Sequence, residues 1–567
     1  MEESVPPGSA AGLFERNDAL VEEAFRRGEF DDIDAASEVS ETDFFRAIAE
    51  EKVLEELAAT YPSVCQKYDV PLWVYIAADI SLRFHAVHSF FAFPYVVRSG
   101  GMINAFGPAM GHKATHPQTG DVSLSCLGFN KKNKYDRQTP CDQDYLRKTA
   151  RRTDAGLLTT WFNRDVAGIF KSHHAYDAEG IFIGDASYLF VPDNPRYEGS
   201  SRLLFDEHNH PVDGTKLSPG QQRRCMWRRC YKLISLIHTN RKREFFLYAA
   251  VSVVAGKEHE CPLLYRMVKQ FVEFHGKGII KLLILDRGFL DGPNIGRCKQ
   301  EWDIDVLIPA RRDMDIYEDV VGLAKAGLLD FKPWMPAPHP RCIGVPVHRP
   351  ESIRKREETR QRTLAQLKAQ AGAAIKASAP TLAPVHSEVA AVAGVETFTS
   401  CPAPLDVVVN KEVDSAGRED YWVLLTTAPV TDPVLTRWDY ALRTTIEERH
   451  RQLKCFSDLE KFSSRCFNLV VNQVIFVLLT YSLLQWYMLR LGRQELNSQT
   501  RSRTLELLRP TKTVILLYHK DYVAFLSPLD HQELVLTLEE PARKKILAKT
   551  RVLRRSQAHQ LANPRPP

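Results

Sequence analysis

The apolar run at residues 279–285 (IIKLLIL) constrains the fold of this chain more than any other segment. Six of its seven residues are apolar. A strand without polar alternation is typical of the centre of an α/β sheet, where helices cover both faces. Asp286 follows directly and therefore lies at the carboxyl end of the predicted strand. We predict a buried central strand that ends in a carboxylate.

The segments on either side of this run alternate between strand and helix patterns. Strand-like stretches occupy residues 180–190, 231–239, 245–254, 279–285 and 304–309, and helical patterns occupy 261–275 and 293–301. The order β-β-β-α-β-α-β is that of the RNase H-like fold. Asp185 lies inside the first strand, and adjacent central strands of an open α/β sheet bring such residues together. We therefore predict an α/β protein with an RNase H-like core in which Asp185 and Asp286 are neighbours.

A predicted helix in the C-terminal third carries an unusual set of polar side chains. Tyr440, Arg443, Glu447 and Lys454 follow one another at intervals of three, four and seven residues, which places them within about 60° on one helix face. Glu448 points about 100° away from Glu447. Cations beside a carboxylate suit a metal ion next to a phosphate backbone. The alternative is a solvated helix face with an i,i+4 arginine–glutamate pair.

The spacing Tyr-x2-Arg-x3-Glu-x6-Lys is the signature of the IS4-type family of bacterial insertion-sequence transposases. These four residues fill every position of the signature, so the chain resembles a DDE transposase. The resemblance implies metal-dependent cleavage at insertion-sequence ends and strand transfer into target DNA by cut-and-paste transposition. It also implies a mostly β insertion between the second aspartate and the glutamate.

The resemblance gives a role to three carboxylates. Asp185, Asp286 and Glu447 are expected to be the catalytic residues and the metal ligands. Phosphodiester cleavage by two divalent ions needs a few carboxylates with coordination positions left open for substrate oxygens. Mg²⁺ is the expected ion because it prefers oxygen ligands and keeps exchangeable waters, and Mn²⁺ is expected to substitute for it.

The remaining signature residues are expected to bind DNA. Arg443 and Lys454 would contact phosphates flanking the scissile bond, and Tyr440 would contact the same backbone. Some relatives flip a base onto a tryptophan, for which Trp422 and Trp438 are candidates, although a core role suits either equally well. The substrates are expected to be duplex DNA of the transposon end and of the target.

The pattern along the chain predicts five regions. They are a helical N-terminal region (1–175), the first part of the catalytic core (176–311), an insertion with a Pro/Ala-rich linker at 379–404 (312–430), the second part of the core with the glutamate helix and an apolar helix (431–495), and a C-terminal region with a basic tail (496–567). The resemblance implies that the N-terminal region binds transposon ends. Residues 541–567 carry eight basic and no acidic side chains, as expected of a phosphate-binding tail.

The apolar stretch at residues 468–489 is long enough to span a bilayer. Its six Asn, Gln, Ser and Thr residues make membrane insertion costly and favour a helix buried against the core. The eleven cysteines are scattered without a zinc-binding spacing, which is typical of reduced thiols. We expect a cytoplasmic, nucleoid-associated protein without a membrane partner.

Two other hypotheses compete with a transposase. One is a catalytically inactive DNA-binding descendant that keeps the fold, and the other is a protein anchored in a membrane by residues 468–489. Coordinated cutting of two ends requires two active sites, so a transposase is expected to form a two-fold symmetric homodimer in the complex with paired DNA ends.

Overall fold

The structure is a computed structural model that divides into two units, residues 1–306 with 442–567 and residues 307–441. It describes residues 15–37, 41–63, 70–93, 143–335, 386–414, 416–492 and 513–562, together with 96, 102, 105, 106, 112–115, 122–125, 141, 494 and 497.

The first unit is built on a mixed sheet. Its strands are β5 (Ile181–Val191), β6 (Ser201–Phe205), β7 (Met226–Thr239), β8 (Leu247–Ala255) and β9 (Leu282–Leu285). β5 lies parallel to β9 and antiparallel to β7, and β7 pairs on its other edge with β8 and β6. β10 (Asp305–Pro309) begins beside β9, where the Asp305 N–H donates to the Lys281 carbonyl at 2.9 Å.

The α/β class predicted from the sequence is confirmed. The strand patterns at 180–190, 245–254, 279–285 and 304–309 correspond to β5, β8, β9 and β10, with ends that differ by a few residues. The strand predicted at 231–239 begins five residues earlier, at Met226, because the arginine-rich segment before Tyr231 pairs with β6. β6 was missed in the sequence, since its five residues (SRLLF) lie in a turn-rich stretch.

Helices cover this sheet. The predicted helix at 261–275 is α9 (Glu260–His275), and the predicted helix at 293–301 is α10 (Gly292–Trp302). Asp291 caps α10, because its side chain accepts a hydrogen bond from the Asn294 N–H at 3.1 Å. α9 packs closely on β5 at Gly184, where an added Cβ would lie 2.6 Å from the Leu264 side chain. That position therefore requires glycine.

The apolar stretch forms α14 (Phe467–Arg490), and it is buried in the fold. The helix is long and apolar enough to cross a membrane, but 83% of its most apolar window lies inside the protein. Its polar residues have partners there: Gln485 and Ser482 accept hydrogen bonds from the N–H groups of Phe246 and Tyr248. Satisfied polar groups of this kind are typical of a core helix.

The described residues of the N-terminal region form several helices, and two of its strands share a sheet with the C-terminal region. β1 (Glu15–Arg16), β16 (Tyr522–Leu526), β15 (Thr513–His519) and β2 (Asp32–Ser37) form a four-stranded sheet in that order. β3 (His112–Thr115) and β4 (Val122–Ser125) form a separate hairpin. The helices are α1 (Asp18–Arg26), α2 (Glu41–Glu50), α3 (Val53–Thr60), α4 (Leu72–Phe84), α5 (Gln143–Arg152), α6 (Ala155–Thr160), α7 (Ala167–Ser172), α8 (Pro219–Gln222), α15 (Pro528–Thr537) and α16 (Glu540–Ala562).

The second unit is an antiparallel sheet with helices α11 (Asp315–Lys325) and α12 (Pro433–Ala441). Its strands run in the order β11 (Lys332–Pro333), β12 (His386–Val395), β13 (Leu405–Val413) and β14 (Glu419–Thr426), and Leu307–Pro309 pair with β14. β12 forms within residues 379–404, where the sequence predicts an Ala- and Pro-rich linker. Its small residues Ala390 and Ala391 pair opposite valines of β13. The remaining Pro- and Ala-rich segment, 336–385, lies outside the described residues.

Candidate active site

The first predicted carboxylate lies in the middle of β5. Asp185 is buried and pairs across the sheet with Ser235 of β7. The four strand residues before it, IFIG, are all buried. β5 pairs with β7 on one edge and with β9 on the other, so its backbone is held on both edges. A buried carboxylate needs partners, and Asp185 finds them on a helix from the distant C-terminal third of the chain.

The second predicted carboxylate follows β9 directly. Asp286 begins a short 3₁₀ turn (Arg287–Phe289), where its Oδ1 accepts a hydrogen bond from the Arg287 N–H at 2.7 Å. Its Oδ2 remains for other contacts. Because β9 is parallel to β5 and pairs residues 282–285 with 181–184, Asp286 and Asp185 emerge at neighbouring positions of the sheet.

The predicted signature helix is interrupted, since α12 ends at Ala441 and α13 (Arg443–Phe456) begins after Leu442. Arg443 stands at the start of α13 and contacts all three predicted carboxylates. Its Nη2 lies 3.1 Å from Asp286 Oδ2 and 3.7 Å from Asp185 Oδ1, and its Nη1 lies 3.2 Å from Glu447 Oε1. The structure therefore brings Asp185, Asp286 and Glu447 together around one guanidinium.

The neighbouring glutamate faces elsewhere. The Glu448 carboxylate accepts two hydrogen bonds from Arg451 on the same helix, from Nη2 to Oε1 at 2.6 Å and from Nε to Oε2 at 2.7 Å. Glu447 and Glu448 therefore differ in their partners as the helical spacing predicts.

His450 belongs to the site and was missed in the sequence. Its Nδ1 lies 3.3 Å from Asp185 Oδ2, and its buried ring stacks on Tyr248 with 6.3 Å between ring centroids. Burial raises the pKa of Tyr248 well above its usual range, so the phenol beneath the imidazole stays neutral. The available signal was spacing, because His450 follows Glu447 by three residues and shares its helix face.

Lys454 lies farther along α13, at the edge of the same strand. Its Nζ donates to the Tyr188 carbonyl of β5 at 2.7 Å and lies 3.2 Å from Glu460 Oε1. The ammonium is therefore held close to the chain three residues beyond Asp185. Its contact with a DNA phosphate stays a prediction.

Tyr440 and the two candidate tryptophans lie in the second unit. Tyr440 is buried, and its ring lies against Trp422 with centroids 5.9 Å apart. Trp438 packs against Trp334 in the same way, at 5.7 Å. Arg437 lies over the rings of Trp334 and Trp422, and burial lowers its pKa to about 10. These aromatic residues form a packed cluster, and a DNA contact by Tyr440 remains a prediction.

The carboxylates of the site offer oxygen donors, which hard divalent ions prefer. Within the part of the chain that the structure describes, no three His, Cys, Asp or Glu side chains stand around one point close enough to hold an ion. Here the Arg443 guanidinium occupies the centre of the three carboxylates and supplies the positive charge.

A family model described as a transposase DDE domain matches residues 197–483, about half of the chain. The matched range contains Asp286, Arg443, Glu447 and Lys454, and Asp185 lies before it. No curated protein matches the chain.

Proposed function

The chain belongs to the transposase DDE domain family, and we propose that it cleaves DNA at the ends of an insertion sequence and joins the freed 3′-hydroxyl groups to target DNA. Proteins of this family are polynucleotidyl transferases that act on DNA with divalent metal ions. The observation that carries the proposal is the meeting of Asp185, Asp286 and Glu447, from three separate elements, around Arg443.

The three carboxylates would be the metal ligands, and their donor chemistry fits Mg²⁺, with Mn²⁺ as a substitute. A bound divalent ion activates the attacking hydroxyl and stabilises the leaving oxygen of the phosphodiester. Asp185 would be the most fixed ligand because His450 holds its second oxygen. Glu447 would be the most adjustable one, since its side chain extends into solvent.

The cations of α13 would position the DNA. With an ion on the carboxylates, the Arg443 guanidinium would turn to a phosphate and pair with it in bidentate geometry. Lys454 would give up its ion pair with Glu460 and contact the next phosphate along the DNA strand. Tyr440 is proposed to contact the same backbone.

The finer assignments follow from the signature and from the order of elements. We propose an RNase H-like core, IS4-type cut-and-paste transposition and a cytoplasmic, nucleoid-associated location. The burial of α14 supports a core helix over a membrane anchor. The hypothesis of an inactive DNA-binding descendant gains no support, because all three carboxylates are present and face one centre.

We further propose that two copies assemble on paired DNA ends as a homodimer. Each copy holds one set of three carboxylates, so coordinated cleavage of both ends of an element needs two copies. Light scattering of the protein alone and with cleaved end duplexes measures this assembly. Joining of both ends by one protein per duplex would contradict it.

The catalytic proposal is tested with Asp185→Asn, Asp286→Asn and Glu447→Gln. Each variant should lose metal-dependent nicking of a supercoiled plasmid that carries the gene with its flanking DNA, while it keeps DNA binding and a cooperative melting transition. Glu448→Gln is the matched control and should keep nicking. Nicking retained by Glu447→Gln but lost by Glu448→Gln would contradict the assignment of the third carboxylate.

A further inference from the structure

An arginine-rich hairpin, formed by β6 and the first residues of β7, extends the sheet of the first unit beyond the end of β5. β6 pairs with residues 226–230 of β7, whereas β5 ends at Val191 opposite Arg229. We call residues 201–230 the arginine hairpin. Residues 219–232 contain no acidic side chain and five basic ones: Arg223, Arg224, Arg228, Arg229 and Lys232.

Part of this hairpin lies on the same face of the sheet as the candidate active site. Asp185 pairs with Ser235, and the register between β5 and β7 is continuous from there to Arg229. Because side chains alternate along a strand, Arg229 and Trp227 share the face of Asp185. Trp227 lies eight residues from Ser235, which is about 26 Å along the strand.

The hairpin presents a cationic and aromatic surface to solvent. Met226 and Trp227 are 63% and 55% exposed. The guanidinium of Arg202 lies over the Trp227 ring, 5.1 Å from its centroid, and so holds the indole in place. Asp193 forms ion pairs with Arg202 and Arg229. Its Oδ2 lies 2.8 Å from Arg202 Nε, and its Oδ1 lies 3.5 Å from Arg229 Nε.

Three arginines of the hairpin lack a carboxylate partner among the described residues: Arg228, which donates to the Asn209 side chain, Arg223 and Arg224. Arg223 and Arg224 are exposed and form no ion pair with any residue that the structure describes. Exposed guanidinium groups four and three residues before an exposed indole suit an anionic partner that also offers apolar surface. The sugar–phosphate backbone of DNA has both properties.

We propose that the arginine hairpin binds the backbone of the duplex DNA that flanks the cleaved phosphate. The distance of about 26 Å between Ser235 and Trp227 along β7 corresponds to roughly eight base pairs of duplex DNA at 3.4 Å per pair. Arg223 and Arg224 pair with phosphates, and Trp227 packs against the adjoining sugars. The inference rests on the proposed function, because it takes the three carboxylates to mark the cleaved phosphate.

The salt dependence of DNA binding tests this contact. Fluorescence anisotropy with a mixed-sequence duplex of about 40 base pairs gives the slope of log affinity against log salt, which falls by about 0.9 per lost phosphate contact. R223A/R224A should reduce the slope by about 1.8. When the salt concentration rises from 50 to 200 mM, the affinity of this variant for DNA should fall by a factor about 12-fold smaller than that of the native protein.

Two further variants separate charge from packing. Trp227→Ala should weaken binding at every salt concentration without changing the slope, because it removes no charge. R297A/K269A removes two exposed cations from helices α9 and α10 that are paired with glutamates, and it should leave the slope unchanged. R223Q/R224Q repeats the charge removal with longer side chains, and circular dichroism checks the fold of each variant.

The outcomes distinguish this inference from the proposed function. A native slope in both R223A/R224A and R223Q/R224Q would overturn the hairpin contact, even where the native protein nicks DNA with Mn²⁺. Absence of nicking by the native protein would refute the proposed function instead. A reduced slope in both double variants with a native slope in the control supports the contact.

Discussion

Arg443→Ala should make the protein bind divalent metal more tightly in the absence of DNA. In the structure the guanidinium contacts Asp185, Asp286 and Glu447 at distances of 3.1–3.7 Å. It therefore competes with a metal ion for the same oxygens. Removal of the guanidinium leaves three carboxylates facing one another, and a divalent ion relieves their repulsion.

The size of the effect follows from the burial of each partner. Two unit charges 3–4 Å apart attract by about 4–5 kcal/mol at an effective dielectric constant of about 20. Glu447 and Asp286 are 66% and 42% exposed, so solvent reduces each of these pairs to about 0.5 kcal/mol. Asp185 is 12% exposed, and after desolvation this pair contributes about 1 kcal/mol. The total of about 2 kcal/mol corresponds to roughly 30-fold in metal affinity.

Isothermal titration calorimetry with Mn²⁺ measures this difference directly, without DNA and without activity. Arg451→Ala is the matched control, because Arg451 lies on the same helix and pairs with Glu448 away from the site. It should bind Mn²⁺ like the native protein. Equal or weaker Mn²⁺ binding by Arg443→Ala would refute the reasoning that the guanidinium competes with the ion.

Two further predictions concern the same unit. Lys454→Ala should weaken DNA binding equally for all sequences and reduce the salt slope by about 0.9, and a change confined to sequence preference would contradict a backbone contact. His238 is buried between the Asp177 N–H and the Ile181 carbonyl, and burial lowers its pKa to about 4. Its stabilising contribution should be complete above pH 6.5 and decline as the pH falls towards 4, by about 3 kcal/mol. Urea unfolding across this pH range should show a flatter profile for His238→Gln, and an unchanged profile would exclude His238 as the cause.

The centre of the fold could be predicted because its signals are local. An apolar run followed by an aspartate needs no knowledge of the rest of the chain, and it located both β9 and Asp286. The position of Asp185 followed in the same way from a β-rich run with one carboxylate. Helical spacing identified the face of Arg443 and Glu447. Their catalytic and binding roles remain predictions.

Features that depend on distant pairing could not be predicted. β2 near the N-terminus pairs with β15 near the C-terminus, and no local pattern connects segments so far apart. β12 forms in an alanine-rich stretch because its partner β13 supplies the larger side chains, so the tertiary context overrides local propensity. The spacing of His450 three residues after Glu447 was visible in the sequence, but its contacts with Asp185 and Tyr248 depend on the fold.

The arginine of the signature has a structural reason that does not depend on DNA. Three carboxylates that contact one guanidinium would repel one another without a cation between them. An arginine one helical turn before Glu447 reaches the helix's own carboxylate with Nη1 and both strand aspartates with Nη2. Lysine carries a single ammonium on a flexible stem and lacks this planar fork. The i,i+4 spacing of Arg443 and Glu447 therefore serves the folded protein without metal.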